Sequence, residues 1–150
     1  MQKISPFLMF NNNLGDAAAI YPVAFSDSKV NGLSKAGNTA MSATFSIFGK
    51  EILSFNGGDY FQFTPAISFF VDCKTEAEVD KAWKKLSDGG EKQRCGWVKD
   101  RFGVSWQIIP PILGEYLQDQ DRQKANRVME AMMQMDKIEI KKLKEAYEGN

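Results

Sequence analysis

The sequence contains no histidine. That excludes a Ser-His-Asp triad, a Cys-His pair and any metal site with an imidazole ligand. Acid–base work must therefore fall to carboxylates, lysine, tyrosine or cysteine. Cysteine is scarce as well. Cys73 and Cys95 are the only two in 150 residues, too few for the disulfide framework of a small secreted domain, so a reducing cytoplasm is expected. Neither sign of charge is in excess: Lys plus Arg is 19 and Asp plus Glu is 19. This balance argues against a nucleic-acid surface, a polybasic membrane anchor and an acidic tail. No apolar run reaches the roughly 18 residues of a membrane span, and no leader pattern opens the chain, so neither a span nor a signal peptide is expected.

What remains is an ordinary globular composition, with 43% hydrophobic and 12% aromatic residues. Residues 4–10 are almost continuously apolar, which predicts a strand, and Pro6 places it near an edge. Asn11-Asn12-Asn13 is turn material. Leu14, Ala17, Ala18 and Tyr21 are spaced as the stripe of a short helix, which Pro22 is expected to end. Residues 25–34 are a weaker strand bounded by turn residues Gly37 and Asn38. Met41, Ala43, Phe45 and Ile47 then alternate with mostly polar neighbours, the period of a strand. Gly49-Lys50 predicts a type II′ turn into a partner strand over 51–55.

The second half opens in the same way. Residues 66–71 form an apolar strand. Thr75 and Glu78 form a capping box, and Val79, Ala82, Trp83 and Leu86 the stripe of the helix it starts. Gly89-Gly90 ends that helix. Strands over 94–98 and 104–109 flank the turn Asp100-Arg101-Phe102-Gly103, and Pro110-Pro111 stops the last one. Strand–helix–strands thus occurs twice, about sixty residues apart. Beyond Pro111 the pattern is helical. Asp119 or Asp121 would cap a helix with Ala125, Val128, Met129, Met132 and Met135. Asp136 with Glu139 would cap a last one with Ile140, Leu143 and Tyr147.

Two βαβββ units in about 120 residues resemble the vicinal-oxygen-chelate architecture, and particular words narrow the resemblance to its PhnB-like branch. They are Ile4-Ser5-Pro6-Phe7-Leu8-Met9-Phe10, Asn56-Gly57-Gly58 with Phe61-x-Phe63, and Ser68-Phe69-x-Val71-Asp72-Cys73. The longest is Cys95-Gly96-Trp97-x-x-Asp100-Arg101-Phe102-Gly103-x-Ser105-Trp106-Gln107-x-x-Pro110. The resemblance also takes in the helical tail at Arg127-Val128-Met129-x-Ala131-Met132. The branch is often named 3-demethylubiquinone-9 3-methyltransferase. The resemblance implies an α+β fold, two βαβββ units forming one curved mixed sheet (the glyoxalase/bleomycin resistance/dihydroxybiphenyl dioxygenase fold), with C-terminal helices. The expected layout is one domain over 1–150: a first unit over 1–60, a second over 64–111 and a tail over 112–150. The resemblance further implies a homodimer whose second copy often completes the ligand cup.

Metal-dependent relatives in this superfamily chelate an ion with His or Glu. The last ligand is a Glu four residues after the glycine of an Asp-x-x-Gly turn. Gln107 stands at that position here, and its neutral amide is a weak ligand for a hard divalent ion. The opening strands offer Ser5, Pro6, Ala66 and Ser68, so a cup without metal or other cofactor is expected. A methyl-donor site on a doubly wound sheet needs a glycine-rich turn after a strand. Gly57-Gly58 and Gly89-Gly90 are not of that kind.

The expected function is the binding of a small organic molecule in an apolar cup. Its wall would draw on Phe10, Phe55, Phe70 and Trp97, with Asn56, Ser68, Cys95, Ser105 and Gln107 as polar or small members. An enzyme is the first alternative: the methyltransferase of the family name, or a lyase or isomerase with Cys95 or Asp100 as catalytic candidates. Cys95 is read either as a thiol activated by Lys92, Arg94, Lys99 and Arg101, or as a small packing residue. Asp100 is read either as a general base at the rim or as the organiser of its own turn. Sequestration of an antibiotic or toxin without turnover is the second alternative.

Overall fold

A computed structural model describes residues 2–150. The chain forms two compact units, the first ending at Thr64 and the second being Pro65–Asn150. Each is α+β, and each carries a four-stranded mixed sheet of the same topology.

The first unit consists of β1 (Phe7–Phe10), α1 (Leu14–Ala24), β2 (Ser28–Ala36), β3 (Thr39–Ile47) and β4 (Lys50–Asn56). The sheet order is β1-β4-β3-β2, with β1 parallel to β4 and the other pairs antiparallel. α1 buries Leu14, Ala17, Tyr21 and Ala24, a 3-4-3 spacing that keeps one stripe on the sheet. Phe10, Tyr21 and Phe45 form the aromatic centre of this core, with ring centroids 5.1 to 6.4 Å apart.

Three local expectations differ from the structure. The first strand begins at Phe7 rather than at residue 4, because Pro6 has no N–H to donate and joins only through its carbonyl, which accepts from Leu53 N at 2.9 Å. Pro22 does not end α1, which continues to Ala24. The proline falls in the last turn, and the single O–H of Ser28 serves the loosened end, with the carbonyl of Phe25 at 2.8 Å and those of Pro22 and Tyr21 also within reach of Oγ. The β3–β4 turn is Phe48-Gly49, not Gly49-Lys50, since Ile47 pairs with Lys50. Both turn residues have positive φ, 48° and 75°, the signature of a type I′ turn. Phe48 tolerates it with its ring against Phe25 and its N–H on Asp27 O.

The second unit consists of β5 (Ser68–Asp72), α2 (Glu76–Ser87), β6 (Glu91–Lys92), β7 (Trp97–Lys99) and β8 (Ser105–Ile109), then α3 (Pro111–Leu117), α4 (Arg122–Met133) and α5 (Ile140–Glu148). The sheet order is β5-β8-β7-β6, with β5 parallel to β8. The strand expected over 94–98 is instead β7, which starts at Trp97 after the Cys95–Gly96 corner and pairs with the short β6 that precedes the corner. The capping box is present: Thr75 Oγ1 accepts from Glu78 N, and Glu78 accepts from Thr75 N. Such a cap is worth about 1 kcal/mol. Val79, Ala82, Trp83 and Leu86 are all buried where α2 packs on β7 and β8.

Three helices follow the sheet. Asp121 caps α4 by accepting from Gln123 N and Lys124 N. α5 has no cap from Asp136 or Glu139. Glu76 of α2 reaches over and accepts from Ile140 N at 2.9 Å. Ile109, Leu113, Val128, Met135, Ile138 and Leu143 make the core between β8 and the helices. Backbone bonds lock this tail to the β6–β7 corner, from Cys95 N to Met135 O at 2.9 Å and from Gly96 N to Asp136 O at 2.7 Å. Gly96 has φ 82°, and a Cβ there would lie 2.7 Å from Ile109 and 2.9 Å from the Ile108 carbonyl. Only glycine fits that corner.

Candidate functional site

Alternation along β5 and β8 sorts their residues onto two faces. One face, carrying Val71, Val98, Trp106 and Ile108, is buried. On the other, Phe70 pairs with Gln107 in register, Asp72 with Ile109, and Gln107 with Trp97 across to β7. Gln107 therefore sits between two aromatic rings. α3 and Met132 of α4 stand over this face, and a pocket of about 410 Å³ lies between them. Phe70, Asp72, Trp97 and Gln107 form its sheet side, Leu113, Gly114 and Leu117 its helix side. Cys95 and Pro110-Pro111 close the ends. Phe70 is 59% exposed, an unusual position for a large aromatic on a sheet face.

The polar groups are few. Gln107 Nε2 donates to Ser68 Oγ at 3.0 Å, which holds the amide plane and uses one donor. Cys95 occupies the left-handed region with φ 60°, and its Sγ donates weakly to Met132 O at 3.7 Å. Three of the four cations near it in sequence are paired with carboxylates. Arg94 pairs with Asp136, Lys99 with Glu91 and Arg101 with Asp88. Cys73 lies in the core instead. Burial, followed by the charges of Glu78 and Asp72, pushes its thiol up to about 12.

Asp100 is not on the pocket wall. It is 4% exposed and organises its turn. Its Oδ1 accepts from Phe102 N at 2.9 Å and Val104 N at 3.0 Å, and its Oδ2 from Trp106 Nε1 at 2.9 Å. Three N–H donors on one carboxylate fit the turn role.

Of the residues expected at the wall, Phe70, Cys95, Trp97 and Gln107 come together at this pocket, and Ser68 braces Gln107. Ser105 shares their face but is buried, and among the described residues its hydroxyl has no hydrogen-bond partner. Phe10, Phe55 and Asn56 belong to the first unit. Phe10 is 0% exposed because α1 covers it, so its ring offers no open wall. Asn56 is a strut: Oδ1 accepts from Leu14 N at 3.2 Å and Nδ2 donates to Ala40 O at 2.6 Å, tying the start of α1 to the sheet. Phe55 remains partly exposed on β4. Asp72, Leu113, Leu117 and Met132 were not anticipated. Asp72 had a signal, since it stands two residues after Phe70 on one strand.

A family model described as 3-demethylubiquinone-9 3-methyltransferase matches residues 2–109. The chain belongs to that family, the PhnB-like branch of the vicinal-oxygen-chelate superfamily. The PhnB protein of Bacillus cereus is 32% identical, with a TM-score of 0.67, over 73% of this chain and 99% of that one. Protein PA1353 of Pseudomonas aeruginosa is 20% identical, with a TM-score of 0.62, over 72% and 96% of the two chains. The fosfomycin resistance protein FosX of Listeria monocytogenes is 18% identical, with a TM-score of 0.58, over 79% and 98%. These last two similarities show the fold alone. Among curated proteins none matches the chain. The family model ends at Ile109, so the resemblance expected along the whole chain narrows to the two βαβββ units. α3, α4 and α5 lie beyond it.

The family's description implies a methyl donor, and its superfamily a metal. Asn11-Asn12-Asn13 follows β1 and Cys73-Lys74-Thr75 follows β5, so neither opening turn is glycine-rich, and the residues present do not fit a donor site of the doubly wound kind. The metal fares no better. Gln107 and Ser68 are neutral and bonded to each other, and among the described residues no three His, Cys, Asp or Glu side chains converge.

Proposed function

We propose that this PhnB-like protein binds a small, largely apolar organic molecule in the pocket of its second unit. The observation that carries this reading is the pocket of about 410 Å³ with an exposed Phe70 on its wall. The volume lies within the few hundred to about 1,000 Å³ usual for small-molecule sites. Rings at Phe70 and Trp97 supply flat contact area, and Gln107 supplies orientation. No step of this reading needs a nucleophile, so binding without turnover is its simplest form. Among the described residues no helix is long and apolar enough to cross a membrane. The reading places the protein in the cytoplasm as a homodimer. Exposed Ile4, Phe7, Tyr60 and Phe61 supply apolar surface for a second copy.

Gly114 offers a direct test. It faces the pocket from α3, and a Cβ added there meets nothing within 4 Å. Gly114→Phe should fill the pocket while the folded state stays at least as stable, since glycine inside a helix costs about 0.5–1 kcal/mol against alanine. Native mass spectrometry of purified wild-type protein should show a dimer carrying an organic mass, which the variant lacks. Equal retention by both would overturn the assignment.

A further inference from the structure

The charge of the pocket wall is one-sided. Among the described residues Asp72 is the only charged side chain lining it, and no lysine or arginine does. Among the described residues Asp72 has no ion pair. Gln107 spends one amide N–H on Ser68, which leaves its second N–H and the acceptor Oε1, a neutral pair with no net charge to offer an anion. Backbone donors are missing where they would be expected. α3 begins at the wall, but its cap is Pro110 and its first residue Pro111, and neither has an N–H. Beside these acceptors stand the aromatic rings of Phe70 and Trp97, a residue type to which a cation is drawn.

We propose that the pocket selects an apolar amine or other organic cation, with Asp72 as its counter-charge and Phe70 and Trp97 as its aromatic contacts. This rests on the pocket being the ligand site and goes further by naming the ligand's charge. A carboxylate, phosphate or phosphonate would meet one like charge and no lysine or arginine to offset it, and is disfavoured. Asp72 is then a specificity residue. It lies on the rim of the pocket with solvent access, so its effect is moderate, about five- to tenfold in affinity when cation–aromatic attraction adds to it.

The test uses three probes of one shape: 4-phenylbutylamine, 4-phenylbutan-1-ol and 4-phenylbutanoate. Calorimetric titration of the full chain should rank them amine, alcohol, carboxylate. The amine should lead the alcohol by about five- to tenfold at low salt and by less at high salt. Asp72→Asn should remove most of the amine's lead, leaving the part that the two rings supply, and leave the alcohol unchanged. If amine and alcohol bind alike, or the carboxylate binds best, and Gly114→Phe abolishes that binding, the pocket reading stands and the charge selection falls. If no probe binds, or Gly114→Phe leaves binding intact, the pocket reading falls and takes the selection with it.

Discussion

At Asp100 one side chain carries a whole corner of the fold. Its carboxylate collects two backbone donors and the indole of Trp106, and the turn that follows depends on it. Asp100→Asn turns one oxygen into an NH₂ that must face an N–H. The expected cost is about 2–3 kcal/mol, read as a lower urea midpoint together with changed emission from Trp106. The two cysteines differ in a way that reagents can read. Cys73 is buried, with its thiol pushed up to about 12, whereas Cys95 is half-buried at the pocket wall. Iodoacetamide at pH 8 should modify Cys95 in the folded protein and Cys73 only after unfolding. Mass mapping of time points decides this. The sign for stability follows from the raised value: what Cys73 contributes is complete below the ordinary thiol pKa of 9.0 and is lost as pH rises toward about 12.

At the level of elements, the tail is held by a small number of directional contacts as well as by its apolar core. Tyr147 of α5 stacks on Tyr116 of α3, with centroids 4.0 Å apart. Its hydroxyl donates to Asp119 in the α3–α4 turn at 2.5 Å. That bond holds the Asp119 carboxyl below its usual range and is the first cause raising Tyr147 above its own. Asp119's contribution is therefore present above the ordinary carboxylate value of 3.8 and is lost as pH falls through the lowered one. Tyr147's is complete below 10.0 and is lost as pH rises through the raised one. Amide exchange in α5, corrected for the intrinsic rate, should be flat between these limits and faster beyond both. Tyr147→Phe should weaken the dependence at each end. A dependence identical in wild type and variant would show that this bond does not control the docking of α5.

For the whole molecule, the division of labour lies within the second unit. The family model accounts for the sheet and α2 but stops at Ile109, while the helix side of the pocket comes from α3 and α4. A chain ending at Pro110 should keep its βαβββ secondary structure by circular dichroism and lose ligand binding. It should also bare Ile109 and release Cys95 from Met135, so Cys95 should alkylate faster. Binding retained by the shortened chain would show that the sheet face alone suffices.

Features that depend on near neighbours can be read from the residue order alone. The Thr75–Glu78 box, the Val79–Ala82–Trp83–Leu86 stripe and the Asp-x-x-Gly turn are legible because capping, helical period and turn bonding act over a few residues. The same holds for the doubled βαβββ order, and the motif words carried the family. Phe10 and Phe70 mark the limit. Both are aromatic residues on an opening strand, and alternation says only that neighbours face opposite ways. The difference between them comes from packing. α1 closes over Phe10 with Tyr21 and Phe45, whereas Phe70 stays open on its own sheet face. It also brought Leu113, Leu117 and Met132 across from the tail and set Asp72 as the pocket's one charge. Those meetings depend on contacts between segments far apart in the chain, which no local pattern encodes.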